Sequence, residues 1–97
     1  MNIVIVGGHD CMHCRYEKIC QDYGCKCKVF TQCPASFQSR IGKPELIVVF
    51  TKTVAHKMLA AAYKQAEKNG VEIRYSNSSS ANALQEVLTH YFQGARK

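Results

Sequence analysis

The run Leu46–Phe50 (LIVVF) constrains the fold most, because all five of its residues are apolar. A strand that is apolar on both faces belongs in the middle of a parallel sheet, where helices cover both sides. The run at residues 3–6 (IVIV) has the same character, and Gly7 and Gly8 follow it directly. Two such strands in a short chain predict an α/β domain built around a parallel sheet.

Strand-like and helix-like segments alternate along the chain, and the pattern predicts four strand–helix repeats. Glycines follow three of the expected helices, where they suit left-handed C-terminal caps. The last helix is indicated by apolar residues at the i, i+3, i+4, i+7 spacing of a helix face. We expect strands over residues 2–6, 25–30, 46–50 and 71–75, and helices over residues 11–23, 34–41, 54–69 and around 84–91.

Right-handed crossovers restrict how these strands assemble. The first and third strands are the most apolar and belong at the centre, whereas the second carries Lys26 and Lys28 and suits an edge. The predicted order is therefore 2-1-3-4, in one flavodoxin-like or Rossmann-like domain over residues 1–97. Helices one and four cover one face, and helices two and three cover the other. Ligands of open α/β sheets bind where the strand order reverses, which is between strands one and three.

Composition excludes several classes of protein. A chain of 97 residues has room for one domain. Its apolar runs are far shorter than the roughly 18 residues of a membrane helix, and no signal peptide is recognisable, so we expect a cytoplasmic protein with no membrane partner. The net charge of +6 permits an acidic partner. Nucleic acid ranks last among such partners, because the basic residues are scattered and no stacking-aromatic motif is present.

The segment at residues 7–14 (GGHDCMHC) brings metal-ligating side chains to the carboxyl edge of the sheet. Cys11 and Cys14 are three apart on a first helical turn, where the positive helix end favours thiolates. Thiolates with an imidazole from His9 or His13 bind zinc or iron. We therefore expect a metal or metal-containing cofactor in a sensor or carrier rather than a catalyst. The expected ligands are His9, Cys11 and Cys14, with Cys33 or His56 completing the set.

The six cysteines do not predict a disulfide framework, because nothing in the chain points to secretion. Thiol redox chemistry of the CxxC pair and exposed thiols without partners both remain alternatives to metal binding. Cys20 falls on the apolar stripe of the first helix and is expected in the core. Cys25 and Cys27 lie at the start of the second strand, toward the opposite end of the sheet from the CxxC.

A glycine pair before a helix also suits anion binding, because the backbone N–H groups can approach a phosphate. The alternative function is therefore a regulatory or enzyme-like module for a phosphorylated small molecule. The signal lacks the dinucleotide and P-loop motifs, and Thr53 and Ser80 are equally explained as helix N-caps. The expected residues of this rim are Gly7, Gly8, Asp10, Thr51, Lys52, Thr53, Ser78, Ser79 and Ser80.

Several stretches together resemble one known family. They are IVGGHD at residues 5–10 with Met12 and Tyr16, KVFTQ at 28–32, FTKTVAHKM at 50–58 and the serine run at 78–80. The chain resembles, over nearly its whole length, the bacterial domain-of-unknown-function family 2325. The resemblance implies a Rossmann-like or flavodoxin-like fold with no settled activity. Cys11 and Cys14 are not part of the family pattern, which places weight on His9, Asp10 and His56.

The fourth strand, at residues 71–75, is expected to leave an open edge beside an apolar central sheet. Uncovered edges tend to be buried by a partner. A symmetric homodimer through the fourth strand or the last helix is therefore predicted, and the lysines of the second strand leave that edge free.

Overall fold

A computed structural model describes residues 2–8, 10–32, 37–52, 54–78 and 80–95. Strands and helices alternate as the sequence predicts. Within the described part of the chain, no helix is long and apolar enough to cross a membrane. The elements are β1 (Asn2–Val6), a 3-10 turn (Asp10–Met12), α1 (His13–Asp22), β2 (Lys26–Phe30), α2 (Phe37–Ile41), β3 (Leu46–Phe50), α3 (His56–Asn69), β4 (Glu72–Ser76) and α4 (Ala81–Ala95).

The four strands form one parallel sheet in the order β2-β1-β3-β4, which confirms the predicted flavodoxin-like arrangement. In the register, Val4 of β1 lies between Lys28 of β2 and Ile47 of β3. Every residue of β3 is buried, as expected of a central strand. β2 and β4 form the two edges and are only partly buried.

Two hydrophobic cores flank the sheet. One contains Ile3 and Ile5 of β1 beneath α1 and α4, and Leu84 and Leu88 of α4 are completely buried there. The other contains the opposite side of β1 beneath α2 and α3. This division of the helices between the faces is the predicted one.

Two helices start later than expected. α1 begins at His13, after the 3-10 turn Asp10–Met12, and not at residue 11. α3 begins at His56 with Ala55 at the N-cap position, and no side chain among the described residues caps it. Thr53, the predicted cap, lies outside the described residues. Ser80 does cap α4, because the Ala83 backbone N–H donates to Ser80 Oγ at 3.2 Å. The capping interpretation of Ser80 is therefore the one that the structure supports.

The Gly7-Gly8 turn owes its composition to close packing. The two residues have φ values of +95° and +88°, which side chains rarely adopt. A Cβ on Gly8 would lie 2.8 Å from the ring of Tyr16. Tyr16 is completely buried, and its ring centroid lies 5.2 Å from that of Phe50. The first helix is thus seated directly on the turn that follows β1.

Replacing Gly8 with alanine is expected to lower the free energy of unfolding by about 2–4 kcal/mol, since backbone strain adds to overpacking against Tyr16. Gly24→Ala provides the matched control. Gly24 also has a positive φ, of +73°, but no atom lies within 4 Å of its added Cβ. Its cost should be about 1 kcal/mol, from the backbone alone. Urea denaturation measures both, and equal losses would contradict the packing explanation.

Three cysteines, Cys20, Cys25 and Cys27, meet where α1 packs on β2, and we call them the thiol cluster. Cys20 and Cys25 are buried and Cys27 is half-buried, which confirms the core position expected of Cys20. The Cys27 thiol donates a hydrogen bond to Cys20. The Cys25 backbone N–H donates to the Cys20 carbonyl at 2.9 Å. All described cysteines, including these three, are free thiols.

The hydrogen bond between Cys20 and Cys27 shifts the pKa values of these two thiols in opposite directions. The bond received from Cys27 lowers the pKa of Cys20. That same bond, together with burial, raises the pKa of Cys27. Burial also raises the pKa of Cys25. One thiolate can therefore be accommodated in the cluster, whereas removal of further protons is opposed.

We expect the free energy of unfolding to fall as the pH rises above 9.0, the ordinary pKa of a cysteine thiol. Cys25 and Cys27 keep their protons in the folded chain and lose them in the unfolded chain. The folded state then binds more protons, so stability decreases with pH. The lowered pKa of Cys20 contributes with the opposite sign and offsets part of this loss. Urea denaturation under reducing conditions, from about pH 7 to 10, measures the slope.

Two variants isolate the contribution of the thiol cluster. Cys25→Ala should make the alkaline loss of stability smaller, because it removes one buried thiol whose pKa is raised. Cys11→Ala removes an exposed thiol and should leave the slope as in the wild type. Burial also raises the pKa of Tyr91, so a residual slope at higher pH is expected in both variants. A slope that Cys25→Ala leaves unchanged would contradict this account.

Candidate functional site

The start of α1 brings together three side chains that can bind a metal ion. A ligand nitrogen of His13, the Cys14 Sγ and a carboxylate oxygen of Glu17 all lie within 4.8 Å of one another. His13 Nδ1 and Glu17 Oε1 are 3.2 Å apart, because residues four apart on a helix lie on one face. The Gly7-Gly8 turn and the packing of Tyr16 place this first helical turn at the carboxyl edge of the sheet. We call His13, Cys14 and Glu17 the ligand group.

The donor atoms of the ligand group are of the types that small divalent transition metals take. Zinc takes histidine nitrogen, cysteine sulfur and carboxylate oxygen at about 2.0–2.3 Å, so ligand atoms of a tetrahedral site lie roughly 3.3–3.8 Å apart. The nitrogen and oxygen of His13 and Glu17 are already near this separation. Their side chains are 44% and 41% exposed, and Cys14 is exposed. A metal ion can therefore reach all three without opening the core.

The structure places the predicted metal ligands in different surroundings. Cys14 belongs to the ligand group, and Cys11 is exposed on the 3-10 turn that precedes α1. His56 is exposed at the start of α3, in a groove that also contains Tyr63 and Tyr75. His9 and Cys33 lie outside the described residues. Their roles as ligands therefore stay predictions, as does that of His56.

Sequence reasoning considered His13 only as a substitute for His9, and it missed Glu17. The CxxC spacing directs attention to cysteines, whereas the ligand group follows the helical spacing between His13 and Glu17. A search for His and Glu at i and i+4 beside a cysteine would have found it. The contact between Cys20 and Cys27 was also missed, because it depends on how α1 lies across β2.

An open groove runs from the ligand group around the outer edge of β2. His13 and Glu17 lie on one side of it, and Ser39 and Arg40 of α2 lie on the other. Cys27 of the thiol cluster also lines this groove. The Glu17 carboxylate opposes ionisation of the thiol cluster and raises the pKa of Cys27 further, after the effects of the Cys20 hydrogen bond and burial. The ligand group and the thiol cluster thus share one carboxylate.

Hydrogen bonds within the protein occupy much of the predicted anion-binding rim. The Gly7 N–H donates to the Phe30 carbonyl at 2.8 Å, which extends the pairing of β1 with β2. The Thr51 N–H and hydroxyl both donate to the Ser76 carbonyl, at 2.8 and 3.2 Å. Those two amides are therefore committed to the fold and are not directed at a ligand.

The remaining rim residues differ in exposure and hydrogen bonding. The Ser78 hydroxyl lies 3.2 Å from that of Ser80, which caps α4, and Lys52 is exposed. Asp10 begins the 3-10 turn before α1. Thr53 and Ser79 lie outside the described residues. Binding of a phosphorylated small molecule at this rim stays a prediction.

Comparison with known proteins identifies a family and nothing narrower. Neither the curated proteins nor the solved structures include a significant match to the chain. The sequence profile of one family, described as "Uncharacterized protein conserved in bacteria (DUF2325)", matches residues 2–91. This match spans all four strands, the Gly7-Gly8 turn and the ligand group. The chain therefore belongs to this bacterial family, as its sequence resemblance predicted.

Proposed function

We propose that this protein is a metal-binding domain and that His13, Cys14 and Glu17 hold the metal at the start of α1. The observation that supports this proposal is the proximity of their ligand atoms, all within 4.8 Å. A neutral imidazole, a thiolate and a carboxylate together offer nitrogen, sulfur and oxygen. Zinc and iron both accept such a mixed set.

Three protein ligands leave a coordination position for another group. Cys11, which the sequence predicts as a ligand together with His9 and Cys14, is a candidate for this position, since it is exposed three residues before Cys14. Structural zinc sites have four protein ligands, whereas a site with three keeps a position open to water or another group. The exposure of the ligand group favours a metal that is taken up and released. We therefore infer a sensor or carrier role rather than catalysis.

The chain is expected to bind about one zinc or cobalt ion, with cobalt showing thiolate-to-metal charge-transfer absorption. Cys14→Ser should diminish that absorption, and the double variant Cys11→Ser/Cys14→Ser should abolish it, because cysteine sulfur is its source. His13→Gln and Glu17→Gln should weaken zinc binding at least about tenfold, as loss of a metal ligand does at minimum. Competition with a chromophoric chelator under reducing conditions measures the zinc affinity.

Histidines outside the ligand group supply the controls. His90→Gln replaces an exposed histidine of α4 and should leave zinc affinity unchanged. Cys11→Ser and His56→Gln test two ligands that were predicted from the sequence but lie outside the ligand group. Either variant should weaken zinc binding only if the replaced residue is a fourth ligand. Equal loss in His90→Gln and His13→Gln would contradict the proposed site. So would wild-type protein that binds cobalt without charge-transfer absorption.

The cellular setting and assembly complete the proposal. We infer a cytoplasmic protein, in which reduced thiols remain available as ligands. A homodimer is also part of the proposal, and the open edge strand β4 supports it.

A further inference from the structure

β4 presents an open edge with a defined backbone orientation. It pairs with β3 on one side, and none of the described strands pairs with its other side. The Ser76 carbonyl accepts a hydrogen bond from the Thr51 N–H at 2.8 Å, so the peptide groups of Ser76 point toward β3. Because orientation alternates along a strand, Ile73 and Tyr75 direct their N–H and C=O groups outward. A second strand can pair there.

The charge pattern of β4 favours pairing with a second copy about Ile73, because an axis at Tyr75 would place Arg74 opposite Ser76 and form no ion pair. In an antiparallel pair on a two-fold axis at Ile73, the two copies of Ile73 exchange their outward N–H and C=O groups. Glu72 then faces the partner's Arg74, and Arg74 faces the partner's Glu72. An axis at Glu72 or at Arg74 would instead place like charges directly opposite each other, which is unfavourable.

The side chains concerned are already held on the edge of the strand. Arg74 Nε donates to Glu72 Oε2 at 2.6 Å, and the two side chains are 44% and 43% exposed. Both lie two apart on the same face of β4. In the paired arrangement they occupy the positions between hydrogen-bonded pairs, where side chains approach most closely. Each carboxylate would lie between two guanidinium groups.

On the opposite face of the sheet, exposed aromatic side chains of β4 and α3 lie beside the open edge. Ile73 packs toward α2 and α3, and Tyr75 lies on the same face. Tyr75 is 49% exposed, Tyr63 of α3 is 51% exposed, and both line one groove with Leu59. Pairing of β4 with its copy brings the two α3 helices alongside each other. That arrangement covers the aromatic groove and buries its apolar surface.

We propose that β4 is the interface of a symmetric homodimer, in which two chains pair antiparallel with Ile73 on the two-fold axis. The two four-stranded sheets then form one continuous sheet of eight strands. The arrangement satisfies the backbone groups of both exposed edges and matches charge on one face and apolar surface on the other. It does not depend on the proposed metal site, which lies at the start of α1 beside the opposite edge strand.

Charge reversal tests the interface and its register. Wild-type protein should show twice the chain mass of 10.9 kDa by light scattering at tens of micromolar. Glu72→Arg places arginine opposite the partner's arginine, and Arg74→Glu places glutamate opposite glutamate. Each should weaken dimerisation at least about a hundredfold, because two like-charge pairs form in each dimer.

Combining the two charge reversals, in a mixture or in one chain, tests the register directly. An equimolar mixture of the two single variants restores every opposite-charge pair and should form a heterodimer. The double variant Glu72→Arg/Arg74→Glu should again be a homodimer. Asp22→Arg and Lys18→Glu reverse exposed charges on α1 and should leave the dimer intact. Circular dichroism confirms that each variant is folded, so monomers cannot be attributed to unfolding.

Three results would overturn the proposal. One is wild-type protein that is monomeric at tens of micromolar, and another is a mixture of folded single variants that stays monomeric. The third is a dimer that neither single variant weakens, which would place the interface elsewhere. The measurements are made in the presence of a metal chelator. A dimer that persists there keeps this interface independent of whether the metal proposal succeeds.

Discussion

The pairing of β1 with β3 is the constraint on which the rest of the structure depends. Both strands are apolar on both faces, and residues 3–6 and all of β3 are buried. Each strand contributes to two cores, so helices must cover the sheet on both sides. Because right-handed crossovers leave β1 and β3 toward opposite edges, the strand order reverses between them. Because they follow β1 directly, the Gly7-Gly8 turn and the start of α1 lie at the carboxyl edge of the sheet, beside this reversal.

α1 carries residues of both the ligand group, at its start, and the thiol cluster, near its end. Tyr16 packs on Gly8 and thereby fixes the start of the helix over the turn. The exposed side of α1 then carries the ligand group, while its buried side delivers Cys20 to the thiol cluster. Glu17 interacts with both, since it pairs with His13 and opposes ionisation of Cys27. Occupancy of the ligand group by a cation would neutralise this carboxylate, and the thiol cluster would then experience a less negative field.

The sequence predicts strand order and helix placement because these follow from apolarity and handedness alone. Both operate on whole segments and tolerate errors of a residue or two at each end. The start of α3 illustrates the limit, since the helix begins at His56 with Ala55 at the N-cap, two residues later than predicted. Glu17 was missed as a ligand because its closeness to Cys14 depends on helical geometry rather than on a recognised motif. The Cys20–Cys27 contact requires the register between a helix and a strand, which periodicity does not contain.

The two edges of the sheet share one geometry and differ in the sign of one charge, that of Lys26 in β2 and Glu72 in β4. The Phe30 carbonyl accepts from Gly7, so β2 directs Cys27 outward just as β4 directs Ile73 outward. Antiparallel self-pairing of β2 about Cys27 would place Lys26 opposite Lys28 of the partner, with repulsion at both positions. The equivalent residues of β4 are Glu72 and Arg74, for which the same operation produces attraction. The backbone orientation is therefore compatible with strand pairing at either edge, and charge favours the proposed pairing at β4 over pairing at β2.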